Sequence, residues 1–470
     1  MWHAILRILL HKTHATTTHL ISVLLCLVLF QSAVAQEQLT VLQGARLILG
    51  DGSVLEETDL AIQNGAIVSV GNVNAALLSR AETVDLRGKT VLPAFIDAHA
   101  HLGYQAANGW GAENYTRDNL IDNLQRYAYY GFAAVFSAGS DPATVAQALQ
   151  AEFDRGDYIG ARMLYAAGMA PPGQGPNNQF LTEVLRVEDQ YGTQILYGLE
   201  DVGAARATVA ELANEDVRFL KLWVDDRGGT QQKLAPDIYR TVVTTANQYA
   251  MKVFVHQQYA TDMADLVNAG VHGFLHGRLG DDFGRPLARQ LAAENVFIVP
   301  NLGLGELRRQ AIGDDAFLQQ TMTASAAAQF GSGVTTRQAD FTPDASQDVA
   351  LSQSLAALLT AGADIVLGTD AGAVPGHPFG YTGHRELEIY VRLGMTPMQA
   401  LVAATSNAAR HLGLQENGLL APGYRADLLV LDANPLDNIR NTRQIDRVYI
   451  GGTMLDRPQL QSSWMQTTTD

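Results

Sequence analysis

Between Leu39 and Leu92 the chain runs in short apolar stretches broken by turn residues, with a period near two. Leu39–Leu42, Ala45–Leu49, Leu60–Gln63 and Ala66–Val70 read as strands, with turns at Gly50-Asp51-Gly52, Asn64-Gly65 and Gly88-Lys89. Asn-Gly between apolar residues is a strong hairpin signal, because a two-residue turn asks for positive φ at both positions. A small antiparallel sheet is expected here. From Val91 the pattern becomes apolar strand, loop and amphipathic helix, repeated. Strands are predicted at Val91–Ala98, Phe132–Ser137, Met163–Ala167, Arg218–Val224, Lys252–His256, Gly273–His276, Val296–Pro300 and Ile365–Thr369. Helices are predicted at Pro236–Ala250, Ala260–Ala269 and Ser346–Ala361, with another from Met395-Thr396-Pro397 through Arg410. Eight strands alternating with helices over about 320 residues fit a (β/α)8 TIM barrel of the α/β class. A doubly wound open sheet is the alternative, weakened by the absence of a glycine-rich dinucleotide fingerprint after any strand.

Two interruptions are long. Ala170 to Glu200 contains Pro171-Pro172-Gly173-Gln174-Gly175-Pro176-Asn177-Asn178, a loop-forming run, and Gly303 to Asp344 is expected to carry a helix around Ala316–Gln329. In a barrel both leave the C-terminal ends of strands, where loops build active sites. Strand character returns over Pro422–Asp432, Val448-Tyr449-Ile450-Gly451-Gly452 ends on a turn, and this tail is expected to complete the N-terminal sheet. The division that follows is 36–90 for the N-terminal sheet, 91–412 for the barrel and 413–470 for the returning tail.

The first 35 residues read as a signal peptide. Arg7 and Lys12 give a basic start, Leu20 to Phe30 is an apolar run too short to span a bilayer comfortably, and Ala33-Val34-Ala35 is a small-residue cleavage site. The expectation is an exported protein, periplasmic or secreted, with no membrane attachment after leader cleavage. Cys26 is the only cysteine and lies in that leader, so the mature chain has no disulfide and no thiolate ligand. With Arg7 and Lys12 gone, 30 Lys and Arg face 48 Asp and Glu, a balance of −18. Such a charge argues against nucleic acid as a partner. It leaves a small-molecule or peptide substrate as the expected partner, and room for a homo-oligomer.

Candidate chemistry gathers at the predicted strand ends. His99 and His101 are two apart after an apolar run, so in a strand both imidazoles face the same way and can meet one cation. His256 ends Val-Phe-Val-His, His276 ends Gly-Phe-Leu-His, and Asp370 follows Ile-Val-Leu-Gly-Thr. Lys221 sits inside the apolar Phe-Leu-Lys-Leu-Trp-Val, where a bare ammonium is costly unless it pairs, snorkels or loses its charge. Carbamylation by CO2 would turn it into an anionic oxygen donor. Six such residues at one end of successive barrel strands are an improbable coincidence.

These residues, with Pro93-Ala94-Phe95-Ile96-Asp97-Ala98-His99-Ala100-His101, Gly368-Thr369-Asp370-Ala371-Gly372 and Pro422-Gly423-Tyr424-Arg425-Ala426-Asp427-Leu428, resemble the amidohydrolase superfamily. The resemblance covers the mature chain and is strongest to the imidazolonepropionase-like and Xaa-Pro dipeptidase-like branch. It implies a barrel with a small composite β-sandwich built from both chain ends. It implies two divalent metal ions, zinc by default. His99, His101 and Asp370 would bind the buried ion, His256 and His276 the exposed one, and carbamylated Lys221 would bridge them. A hydroxide shared by the two ions would attack an amide bond of a dipeptide, Xaa-Pro or N-acyl amino-acid type, with Asp370 as general base and then acid. A lactone or cyclic amide substrate and a mononuclear deaminase are the alternatives. Gln257, Gln258 and Tyr259 stand where deaminase relatives usually place a Glu, and Trp223-Val224-Asp225-Asp226-Arg227-Gly228-Gly229 replaces the Ser-Gly-Gly of dipeptidase-like relatives. Tyr259, Arg227, His377 and His384 are the candidate substrate contacts, on loops expected to face the cavity. Arg227 suits a substrate carboxylate or, equally, Asp225 or Asp226.

Overall fold

The computed structural model describes residues 39–107, 109–276, 279–280, 283–323, 326–327 and 342–466. The leader expected at 1–35 lies outside them, as does part of the helix expected around Ala316–Gln329. In the described part of that stretch Leu318–Gln320 makes a 3-10 turn.

Leu39–Ile48 pairs antiparallel with Val54–Gln63, which turns at Asn64-Gly65, both at positive φ, into Ala66–Val70. On its other side Leu39–Ile48 runs parallel to Glu82–Asp85 and Thr90–Pro93. The tail then joins this sheet. Leu428–Leu431 pairs antiparallel with both Thr90–Pro93 and Ile445–Ile450, so the two chain ends share one eight-stranded sheet. Alternating residues of both ends, Leu47, Leu60, Val91, Leu428 and Val430 among them, pack into one apolar cluster on it.

The remaining strands are parallel. Phe95–Ala100, Phe132–Ser137 and Arg162–Tyr165 form one sheet. Ala167–Ala170, Phe219–Val224, Lys252–Gln257, Gly273–Leu275 and Phe297–Val299 form another, with Leu196–Gly198 on its edge. The single strand expected at Met163–Ala167 is therefore bent at Ala166. Its first part pairs with Phe132–Ser137 and its continuation with Phe219–Val224. The stretch expected at Ile365–Thr369 is not a continuous strand, yet it hydrogen-bonds to both sheets: Val366 N to Ile298 O, and Ala98 N to Leu367 O. The interruption at 170–200 is more ordered than its composition suggests. It contains the helix Asn178–Tyr191, which buries Phe180, Val184 and Val187. The helix expected from Pro397 to Arg410 breaks at Thr405, because the Ala403 carbonyl accepts Leu367 N instead of a helical N–H. Among the described residues no helix is long and apolar enough to cross a membrane.

Four phenylalanines set the height of the site. Phe136, Phe219, Phe254 and Phe297 pack ring to ring, at centroid distances of 5.0–5.6 Å, in a cluster with Ile96, Leu164, Leu275 and Val366. Side chains two residues on in a strand share the same face one layer higher. Lys221 follows Phe219, and His256 follows Phe254, by that step. The apolar layer thus places a layer of ligand-type residues directly above it, toward the strand C-termini.

Candidate metal centre

Asp370 is the hub. One carboxylate oxygen lies 3.4 Å from His99 Nε2 and 3.2 Å from His101 Nε2, and the other 3.3 Å from His276 Nε2. His99, His276 and Asp370 each present a donor atom within 4.8 Å of the other two. His256 joins them edge-on, its ring 5.0 Å from that of His276. The chain reaches this geometry through local strain and close approach. His276 and Asp370 both sit at positive φ, 71° and 57°, where an L-residue is disfavoured unless its surroundings hold it. A register irregularity between Asp97 and Ala100 falls where the His99–His101 pair leaves the strand.

The imidazoles are aimed by their second nitrogens. His99 Nδ1 donates to Asn301 Oδ1 at 3.0 Å, while the same amide donates Nδ2 to Gly368 O, which leaves Nε2 with its lone pair. His101 Nδ1 meets Ser140 Oγ at 2.9 Å. His256 is oriented the other way round: its Nε2 donates to Asp225 Oδ2 at 2.9 Å, so Nδ1 keeps the lone pair. Asp97 ties the His99 strand to the Asp370 turn. It accepts His99 N and Thr369 N on one oxygen, and the Thr369 and Tyr127 hydroxyls on the other.

Burial holds His99 and His276 well below the ordinary imidazole range and brings His256 down to about 4. Burial alone would raise Asp370, but His276, His99 and His101 around it keep the carboxyl well below its usual value. Neutral imidazoles around an ionised carboxylate are the protonation states that coordinate a cation. Among the described residues, His99 Nε2 and Asp370 Oδ1 are buried with no hydrogen-bond partner, although such atoms are costly to leave unmatched. The donor set therefore fits a divalent ion.

Lys221 is fully buried, and burial pulls its ammonium down to about 7 against the opposing pull of Asp370. Its Nζ lies 5.7 Å from the centre of the Trp223 ring. All six residues expected at the strand ends are thus neighbours. The closest trio, His99 with His276 and Asp370, cuts across the pairing that the resemblance implies.

Above the cluster opens a cavity of about 890 Å3, whose walls include Phe180, Trp223, Gln257, Leu279, Leu302 and Arg308. Among the four expected substrate contacts only Arg227 lines it, and its guanidinium is held 3.0 Å from Asp225. His384 lies elsewhere. Its two nitrogens engage Tyr130 O and Thr442 Oγ1, and its ring packs among Phe95, Phe132 and Phe317. A helix-end position in the sequence does not reveal that the helix start is buried. Tyr259 precedes the helix Ala260–Ala269, carries the Lys233 ammonium over its ring at 5.3 Å, and does not wall the cavity; nor does the buried His377. Asn301 and Ser140 escaped sequence reasoning, since short polar residues after a strand read as turn formers; Asp225 pairs with Arg227, as one of the expected alternatives had it, but its hold on His256 was not foreseen. The one usable signal was position, because Asn301 follows the seventh strand at the same end as the ligands.

Comparison with known proteins agrees with this geometry. The amidohydrolase family profile matches residues 90–455. The imidazolonepropionase of Nocardia farcinica is 26% identical over 403 residues, 82% of this chain and 88% of that protein. Shorter matches are stronger in identity but local. The ochratoxinase of Aspergillus niger is 39% identical over 106 residues, 21% of each protein, and the imidazolonepropionase of Deinococcus deserti 46% over 78 residues. These local matches span about a fifth of the relatives concerned. Among solved structures, a prolidase complexed with N-methylphosphonate-L-proline superposes with a TM-score of 0.66 at 24% identity, over 89% of this chain and 99% of that one. A molinate hydrolase gives 0.69 at 19%, over 92% and 98%. At such identities the superpositions speak for the fold, and the profile match, over most of the chain, for the family. The chain belongs to the amidohydrolase family.

Proposed function

We propose that the protein is an exported, metal-dependent hydrolase that cleaves the amide bond of a dipeptide, an Xaa-Pro or an N-acyl amino acid. The observation that carries this reading is the convergence of His99, His101 and His276 on Asp370 at the floor of a large cavity. His99, His101 and Asp370 would hold one divalent ion and His256 with His276 a second, Lys221 bridging them as a carbamate. Ions bound there supply Lewis-acid polarisation of the scissile carbonyl and activation of water at neutral pH. Asp370 takes the proton from the attacking water and passes it to the leaving nitrogen, as general base and then acid. Asn301, Ser140 and Asp225 keep the imidazoles in the tautomers this requires. Lys221 suits carbamylation because a pKa near 7 leaves much of the amine neutral and nucleophilic.

The reading extends to the scaffold. The two parallel sheets and the bridging 365–369 segment are taken as one closed barrel, and the terminal sheet as part of a composite sandwich. The leader directs the protein to the periplasm or the exterior. A single-ion deaminase is the second reading, favoured by the tight grouping of His99, His276 and Asp370.

Metal content per chain decides between them, measured on protein purified without chelator and with bicarbonate, for the wild type and Lys221→Ala. About two ions in the wild type and at most one in the variant, with a loss of peptide hydrolysis on the order of a thousandfold, are expected. One ion in both, with ammonia released from a cyclic substrate, would establish the deaminase reading. Active protein without metal would sink both.

A further inference from the structure

Among the described residues, the acids beside the cavity face imidazole or guanidinium groups. Asp370 is surrounded by imidazoles, and Asp225 holds both His256 and Arg227. Arg308 is different. It lines the cavity just after the short helix Gly303–Leu307, and among the described residues no carboxylate pairs with it and no side chain accepts from its buried Nε. Gln257, only 1% exposed, lines the same cavity with neither its amide oxygen nor its nitrogen matched. The cavity wall combines apolar Leu279, Leu302, Leu304, Leu351 and Val374 with neutral polar Gln179, Gln258 and Gln347. An unpaired guanidinium in such a wall recognises a carboxylate bidentately, and an unmatched buried amide recognises a peptide-like group.

We propose that Arg308 binds the free α-carboxylate of the substrate, with Gln257 on the adjoining amide. The substrate class is then an N-acylated amino acid or dipeptide that has an apolar residue on the leaving side. Neutral amides, lactones and internal peptide bonds are disfavoured. The proposal rests on the amide-hydrolase reading for its chemistry, but its binding arm stands without turnover.

The test uses full-length mature protein with N-benzoyl-L-leucine and its neutral carboxamide, and the variants Arg308→Gln and Arg308→Lys. Calorimetric binding and steady-state rates are both recorded. The wild type is expected to prefer the acid by about 100-fold in kcat/KM, mostly through KM. Arg308→Gln should abolish that preference by weakening the acid alone, leaving the carboxamide within about threefold, while Arg308→Lys recovers part of it. Calorimetry separates the two ideas. Acid binding that is lost in Arg308→Gln, without turnover of either compound, would sustain the carboxylate site and defeat the hydrolase reading. Equal treatment of acid and carboxamide by the wild type, equal losses in Arg308→Gln, or no binding of the acid at all would overturn the proposal. An unchanged unfolding midpoint in Arg308→Gln shows that the effect is not one of folding.

Discussion

Glu386 accepts Leu302 N at 2.6 Å and Gly303 N at 2.5 Å, and so clamps the turn that follows Asn301. Through Asn301 it bears on the tautomer of His99 without touching the cluster. Burial raises its carboxyl to about 8; Asp97 and Glu306 add to the rise and the two backbone donors oppose it. Its folded value thus lies above the ordinary 4.5, and the folded state holds the proton more tightly than the unfolded one. The associated stability is fully present below 4.5 and is lost as pH rises through about 8, on the order of a few kcal/mol in total. Urea unfolding is therefore expected to weaken steadily between pH 5.5 and 8.5 (roughly one decade in the equilibrium constant per unit at most). Glu386→Gln should flatten that slope while costing about 1–2 kcal/mol for the N–H it no longer matches. A slope unchanged in the variant would assign the pH dependence to other groups. Nothing in the sequence marks this residue, since an acid on an amphipathic helix ordinarily faces solvent. His99, by contrast, was a candidate from its spacing to His101 together with the other polar residues at the strand ends.

Among the elements, the turn at Gly368-Thr369-Asp370-Ala371-Gly372 shows why a motif has the composition it has. A Cβ on Gly372, at φ 90°, would collide with the His101 carbonyl, and one on Gly368 would meet His99 Cβ at 2.9 Å. The Asp370 turn and the His99–His101 strand approach this closely only because both positions lack a side chain. Gly394 provides the contrast, at φ 115° with open space around it. Gly394→Ala should cost about 1 kcal/mol of backbone strain and leave metal content intact. Gly372→Ala should cost roughly 3 kcal/mol or more and lower the bound metal, because the carboxylate is displaced from the imidazoles. Equal costs for the two, measured by urea unfolding and metal analysis, would contradict the role of close approach. The motif was legible as a string, but its reason was not, because which strand lies opposite depends on pairing across 270 residues of chain. The helix Asn178–Tyr191 escaped notice for a related reason: its Pro- and Gly-rich approach dominated the composition of the interruption.

For the whole molecule, the two chain ends act as one element. Leu428, Leu429, Val430 and Leu431 are fully buried in a strand paired with Thr90–Pro93, Val448 is fully buried in the strand beyond it, and Ala94 N donates to Asp427 O directly beside the His99 strand. At about 1.5–3 kcal/mol for each buried aliphatic side chain, their loss is comparable to the whole stability of a domain. A chain ended after Leu412 is therefore expected to lack a cooperative unfolding transition and to elute as aggregate, as judged by circular dichroism and gel filtration. A soluble, metal-loaded truncated form would show that the sheet is an appendage. That the tail rejoins the first sheet was read from strand character alone, and its antiparallel place between Thr90–Pro93 and Ile445–Ile450 bears this out.

By itself the sequence determined which residues are the candidate ligands, because His, Asp and Lys at the ends of apolar strands are an expensive and therefore informative placement. It also determined the alternation of strand and helix, since periodicity is a local property. Tertiary structure alone decided how close the ligands come and which of them share the Asp370 carboxylate. It decided too that His384 serves the core while Arg308 lines the cavity with no carboxylate paired to it among the described residues. Partnership between side chains distant in the chain is set by packing, and no local pattern encodes whether a polar atom will find its match.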